Sequence, residues 1–102
     1  MNEVLIIVTT EVYEKNAKNI AKLLIKKKLA ACVSIKPMDS IYKWEQNIEE
    51  TEEFEITIKS KPEFKDDLVL FLQKMTSNDT TQILYKKFQS ESNYYDWLTK
   101  TI

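Results

Sequence analysis

The chain has 102 residues, enough for one domain spanning 1–102, and its 15 basic and 16 acidic side chains leave a net charge of −1. With no basic excess or basic patch, the balance argues against a nucleic-acid binder. The complete lack of Gly and His excludes glycine-rich phosphate loops, Ser-His-Asp triads and histidine-based metal sites.

The opening Met1-Asn2-Glu3 lacks the charged stretch and length of a signal peptide. No apolar run approaches the ~18 residues that would span a bilayer, so no membrane role is expected. Val4 to Val8 is a short continuous apolar run, the pattern of a strand covered on both faces. A turn is expected around Thr9 to Tyr13. From Glu14 to Lys28, Ala17, Ile20, Ala21 and Leu24 recur at helical spacing, with Lys18, Lys22 and Lys26 on another face. Leu29 to Lys36 alternates as a strand: Leu29, Ala31, Val33 and Ile35 on one side, Ala30, Cys32, Ser34 and Lys36 on the other. Pro37 is expected to end it.

A further strand, Ser40 to Glu45, puts Ser40, Tyr42 and Trp44 on one face. After a turn near Gln46-Asn47, Glu53 to Lys59 alternates Phe54, Ile56 and Ile58 against Glu53, Glu55, Thr57 and Lys59. Ser60-Lys61-Pro62-Glu63 has the spacing of a capping box with an early Pro, and Phe64, Leu68, Phe71, Leu72 and Met75 form a helical stripe behind it. The polar stretch Thr76 to Thr81 interrupts, Ile83 to Phe88 is the last main strand, and Tyr94, Trp97 and Leu98 mark a short C-terminal helix. Without Gly, positions with positive φ are expected at Asn47, Asn78 and Asp79.

This order is β-α-β-β-α-β with an added C-terminal helix, an α+β chain of the ferredoxin-like class with an antiparallel sheet. Its helices are expected on one face of the sheet. Val4 to Val8 is apolar on both. Exposing the second face would cost roughly 1.5–3 kcal/mol per large side chain, so another copy of the chain is expected to cover it.

Cys32 is the only cysteine, so no intramolecular disulfide forms, and a reducing, cytoplasmic setting is expected. A thiolate suits Cu(I) or Zn, but Ala30 and Ser34 beside it add no second strong ligand. Either three copies meet at a threefold axis or Cys32 is a buried, inert thiol. Tyr42 and Trp44 read as the wall of an intersubunit cleft or as packing. Glu53, with Glu49, Glu50 and Glu52 near it, offers carboxylates to a cation or simply a solvated hairpin. Lys59 is the candidate for an anion or small-ligand contact, and Asp79 reads as a turn residue. Lys59 beside Glu53 or Tyr42 could move protons, but no nucleophile–base–orienter set is present, and no enzyme is expected.

Leu29-Ala30-Ala31-Cys32-Val33, Ser40-x-Tyr42-x-Trp44-Glu45-x-x-Ile48, Glu53, Ile58-Lys59-Ser60, Thr9-Thr10 and Tyr95-x-Trp97-Leu98 together resemble the CutA family over nearly the whole chain. The resemblance implies a ferredoxin-like protomer, a tightly interlocked homotrimer and a role in divalent-metal tolerance, copper above all. Tyr42, Trp44, Glu53 and Lys59, the last standing where the family has its Ile-Lys, are the ligand-binding candidates and Cys32 the metal candidate, with copper or another divalent ion as the expected ligand. The alternative is a trimeric adaptor or signalling protein that binds a partner protein and has no metal role. Two segments depart from the family pattern. Gln46 stands where the family usually has Gly, and Thr76 to Thr81 replaces a His-Pro-Tyr-acidic-Val-Pro segment, keeping only the acid, Asp79.

Overall fold

A computed structural model describes residues 2–102. The elements run β1 (Glu3–Glu11), α1 (Glu14–Lys26), β2 (Cys32–Trp44), β3 (Asn47–Ser60), a 3-10 turn (Pro62–Phe64), α2 (Lys65–Met75), β4 (Ile83–Gln89) and α3 (Ser92–Thr101). The four strands make one sheet in the order β2-β3-β1-β4, every neighbouring pair antiparallel. This is the ferredoxin-like arrangement with the C-terminal helix expected from the sequence.

The strand periodicity decides which face each helix covers. Leu5 and Ile7 of β1 share a face with Ile56 and Ile58 of β3, and α1 and α2 lay Ala17, Ile20, Leu24, Leu68 and Leu72 upon it, all buried. The helices do not all lie on one face, as was expected. Leu98 of α3 is buried there against Val4 and Ala31, with Ile6, Tyr95 and Ile102 around them. A helix of the same chain thus covers one end of the second face. The other end stays open: Val8 is half-buried, and its β4 partner Leu84 is 60% exposed.

Several boundaries differ from expectation. β1 continues as strand through Thr9 and Thr10 to Glu11, where a turn was expected. Pro37 does not end β2, which runs on through Ser40 and Tyr42 to Trp44 as one strand. β2 lies at the sheet's edge, and an edge strand has an unbonded side on which a missing N–H costs no ladder bond. The alternation also slips before Cys32, because the strand starts only there. Ala30 is buried in the helix-side core, whereas Ala31, assigned by parity to the side of Val33, lies under α3. Ser60 does not cap a helix. Its hydroxyl donates to the Leu29 carbonyl at 2.6 Å, and the chain enters α2 through the 3-10 turn.

Positive φ falls on Lys28 (59°) and Glu45 (56°), not on Asn47, Asn78 or Asp79. Lys28 follows the last turn of α1, where its N–H reaches the Ile25 carbonyl and the next N–H, of Leu29, reaches Leu24. Helices commonly end this way, usually with Gly in the left-handed position, which costs an L-residue roughly 1–2 kcal/mol. Part of that cost returns as the extra backbone entropy Gly loses on folding. Lys28→Gly is therefore expected to stabilise the fold by about 0.5–1 kcal/mol, read as a rise in the denaturant midpoint at unchanged m-value. A lower midpoint would contradict this.

Candidate functional site

β2 and β3 are longer than the sheet that holds them. The β1–β3 ladder stops at Glu11 opposite Phe54, whereas the β2–β3 ladder continues from Met38 opposite Glu53 to Trp44 opposite Asn47. The outer part is a two-stranded ribbon roughly 20 Å long, and it gives the molecule its 47 Å long axis. Ile41 and Ile48 on the ribbon are largely exposed.

Where the ribbon leaves the sheet it faces segment 76–82, the connection between α2 and β4. Between them is a cleft of about 650 Å3. Ser40, Tyr42, Trp44, Glu49, Thr51 and Glu53 form the ribbon wall, and Ser77, Asn78, Asp79, Thr80 and Gln82 the other. Tyr42 and Trp44 are each close to half exposed. The Tyr42 hydroxyl lies 3.0 Å from Thr51 Oγ1 across the ladder, which holds its ring in place.

A buried carboxylate fixes the second wall. Glu11 is wholly buried at the end of β1. One of its oxygens accepts from the Ser77 N–H at 2.8 Å and from Asn16 Nδ2 at 2.9 Å, and the other accepts from the Tyr13 N–H at 3.0 Å. Asn16 Nδ2 also donates to the Met75 carbonyl at 2.9 Å. Asn78 Nδ2 donates to the Thr10 carbonyl at 3.3 Å. The segment that departs most from the family pattern is therefore tied to β1 and α1 by polar side chains. Glu11 and Asn16 were missed as organising residues. The signal was present: Leu5, Ile7 and Thr9 alternate on the core face, and one step further puts an acid there.

The structure separates the candidate residues into two groups. Tyr42, Trp44 and Glu53 line the cleft with Asp79. Lys59 and Cys32 do not. They are direct cross-strand partners at the far end of the β2–β3 ladder, on the face where α3 sits. Lys59 also pairs with Ile6 and makes no ion pair among the described residues. Glu55, the carboxylate between the two groups, pairs with Lys36 at 3.4 Å. Cys32 is half-buried and near Tyr94 of α3, whose phenol is held above its ordinary value of 10.0, first by burial and second by the Cys32 sulfur. Among the described residues no group of three or more Cys, Asp or Glu side chains is placed to hold a metal ion, so one chain by itself does not fit a chelated metal.

The relatives agree with this fold. A family model described as CutA1 divalent ion tolerance protein matches residues 4–101. The divalent-cation tolerance protein CutA of Archaeoglobus fulgidus is 34% identical, over 86% of this chain and 87% of its own length. A solved CutA structure from Synechococcus elongatus superposes with a TM-score of 0.94 at 29% identity, covering 99% of this chain and 91% of that one. The solved A. fulgidus structure gives 0.91 at 32% identity, over 96% of this chain and 97% of that one, and is described as a periplasmic divalent cation tolerance protein. That description overturns the cytoplasmic expectation. The expectation leaned on one cysteine, and a lone thiol forms no intramolecular disulfide in any compartment, so it carries no information about redox setting. No helix among the described residues is long and apolar enough to cross a membrane. The relatives are named for ion tolerance and not for a reaction. With residues 4–101 matched by the family model and a relative 34% identical over 86% of its length, the chain belongs to the CutA1 divalent ion tolerance family.

Proposed function

We propose that the protein serves divalent-cation tolerance as a homotrimer and takes up its ligand in clefts at the subunit boundaries, beside Tyr42, Trp44 and Glu53. The observation that carries this reading is the open end of the second sheet face, where half-buried Val8 lies beside exposed Leu84. Apolar surface of that kind is stabilised by burial, and a sister copy supplies it without any further partner. The ribbon adds support. A two-stranded ribbon is marginal by itself, and among the described residues Met38–Trp44 pairs with Asn47–Glu53 and with no other strand. Three copies is the number that the family resemblance implies.

Copper is the ion that the resemblance names. With no chelating group among the described residues of one chain, Cys32 would hold Cu(I) only where sulfurs of several copies meet. That same lack of a chelating group favours a second reading, a trimeric adaptor for a partner protein with no metal role.

Sedimentation equilibrium and a Cu(I) titration test these together. A mass of three times 12.1 kDa and a melting temperature that rises with protein concentration are expected. A monomer with concentration-independent melting would contradict the trimer. Stoichiometric Cu(I) binding that Cys32→Ser abolishes supports the copper reading. Absence of binding in the wild-type trimer removes it and leaves the adaptor.

A further inference from the structure

The near-neutral total hides a separation of charge. Segment 14–28 holds six Lys and one acid, Glu14, and all six lysines are exposed. Lys15, Lys18, Lys22 and Lys26 follow one another at helical spacing and form a stripe along α1, away from buried Ala17, Ile20 and Leu24. At 1.5 Å per residue the stripe is roughly 16 Å long, and Lys27 and Lys28 continue past its end. Lys18 lies 3.9 Å from Glu14, a weak exposed pair, and the other five make no ion pair among the described residues.

Helix stability does not account for this row. Lys18, Lys22 and Lys26 repel one another at four-residue spacing. Lys15 stands in the first turn of α1, where the helix dipole disfavours a cation. Lys28 holds a left-handed conformation that Gly adopts more readily. The dipole favours positive charge at the C-terminal end alone. An anion laid along the row relieves the repulsion.

The neighbours select the shape of that anion. The hydrogen bond from the Ser60 hydroxyl to the Leu29 carbonyl puts the start of α2 beside the end of α1. There Glu63, Asp66 and Asp67 are exposed, with only Lys65 against them. A broad anionic surface such as a bilayer would meet those acids, whereas a linear anion follows α1 and avoids them. Segment 14–28 contains no aromatic residue on which bases could stack, and the chain has no Arg. Lys serves phosphate as a point charge.

We propose that the α1 stripe binds a linear condensed phosphate, inorganic polyphosphate, laid along Lys15, Lys18, Lys22 and Lys26. The stripe is on the helix-covered side of the sheet, opposite the open face around Leu84 where copies are proposed to meet, so the site is independent of the trimer and of copper. Phosphate oxygens are hard ligands for divalent ions. A bound chain supplies the chelating oxygens that the described residues do not assemble.

Calorimetric titration of the full chain with short-chain polyphosphate tests it. Saturable binding at near-physiological salt is expected, with a log–log salt slope of about −3 to −4 for four to six lysines at roughly 0.7 per phosphate contact. Inorganic triphosphate, too short for the stripe, is expected to bind at least about tenfold more weakly at equal phosphate concentration. Lys15→Gln with Lys22→Gln is expected to weaken polyphosphate binding about tenfold while the melting temperature holds or rises, a combination that a merely structural row would not give. Lys86→Gln with Lys100→Gln, on the α3 side of the sheet, is expected to leave affinity unchanged. The proposal is overturned by absence of saturable binding, by triphosphate binding as tightly, or by equal losses in the two double variants, which would mark general attraction to lysine. Tighter binding of single-stranded DNA of equal charge, or of phosphatidylglycerol vesicles, overturns it in favour of a nucleic-acid or membrane surface. Sedimentation of the same samples keeps the readings apart. A trimer that ignores polyphosphate overturns this site alone, and a monomer that binds it overturns the trimer alone.

Discussion

Glu11→Ala is expected to lower stability by about 3 kcal/mol, a fall in Tm of roughly 15 °C for a chain of this size. The carboxylate is wholly buried and accepts three hydrogen bonds, from Ser77, Asn16 and Tyr13. Each is charge-assisted, and such bonds are worth about 1.5–3 kcal/mol. Partial rehydration of the Tyr13 and Ser77 amides near the surface reduces the sum. Glu11→Gln keeps the shape but turns an NH2 group toward one set of donors, so about half the loss is expected. The loss should also have an address. Amide exchange at Ser77 and Asn78 is expected to quicken far more than exchange in β3, because the tie between segment 76–82 and β1 is what the substitution removes. Unfolding measured at fixed protein concentration checks the magnitude. A cost below about 1 kcal/mol would mean that the buried carboxylate contributes little.

Leu84→Asp is expected to abolish association while sparing the folded chain. Leu84 is 60% exposed in the single chain, and a surface substitution of that kind shifts stability by no more than about 0.5 kcal/mol. Within an assembly the same position would bury a carboxylate against Val8 and a neighbouring copy. The lost apolar burial is about 1.5–3 kcal/mol, and the unpaired charge adds several more. At 1.4 kcal/mol per factor of ten, the dissociation constant should rise at least ~100-fold. Sizing across a dilution series, with far-UV circular dichroism as the control for folding, reads the result. Unaltered association of Leu84→Asp would place the contact elsewhere on the molecule.

Much of the architecture was legible because each element has one strong period. Phe54, Ile56 and Ile58 alternate without interruption, and Phe64, Leu68, Phe71, Leu72 and Met75 repeat at helical spacing, so β3 and α2 could be placed from residue types alone. Pro37 misled because a ladder break is expected of Pro only where both strand edges are bonded, and edge position is a property of the assembled sheet. Glu11 misled because β1 was ended where the apolar run ended. Its parity was readable, but its three donors come from residues up to 66 positions away. Lys28 and Glu45 were missed as left-handed positions because Asn and Asp are the usual substitutes for Gly there, and neither site has one.

The candidate site was legible in composition more than in geometry. Tyr42, Trp44 and Glu53 share one ribbon, and their common cleft follows from strand parity. That Asp79 faces them required the fold of segment 76–82, which has no period to read. Lys59 and Cys32 share the parity of the cleft residues and stand on the same two strands. Parity gives a face but not a distance along it, so the sequence could not show that they sit at the opposite end.

The projecting ribbon leaves the single chain with two backbone edges that no other described strand covers. Such edges invite haphazard strand-to-strand stacking into fibres. Glu49, Glu50, Glu52 and Glu53 lie in succession along β3, broken only by Thr51. Like ribbons laid side by side would bring these negative charges together, and their repulsion guards the chain against fibre formation.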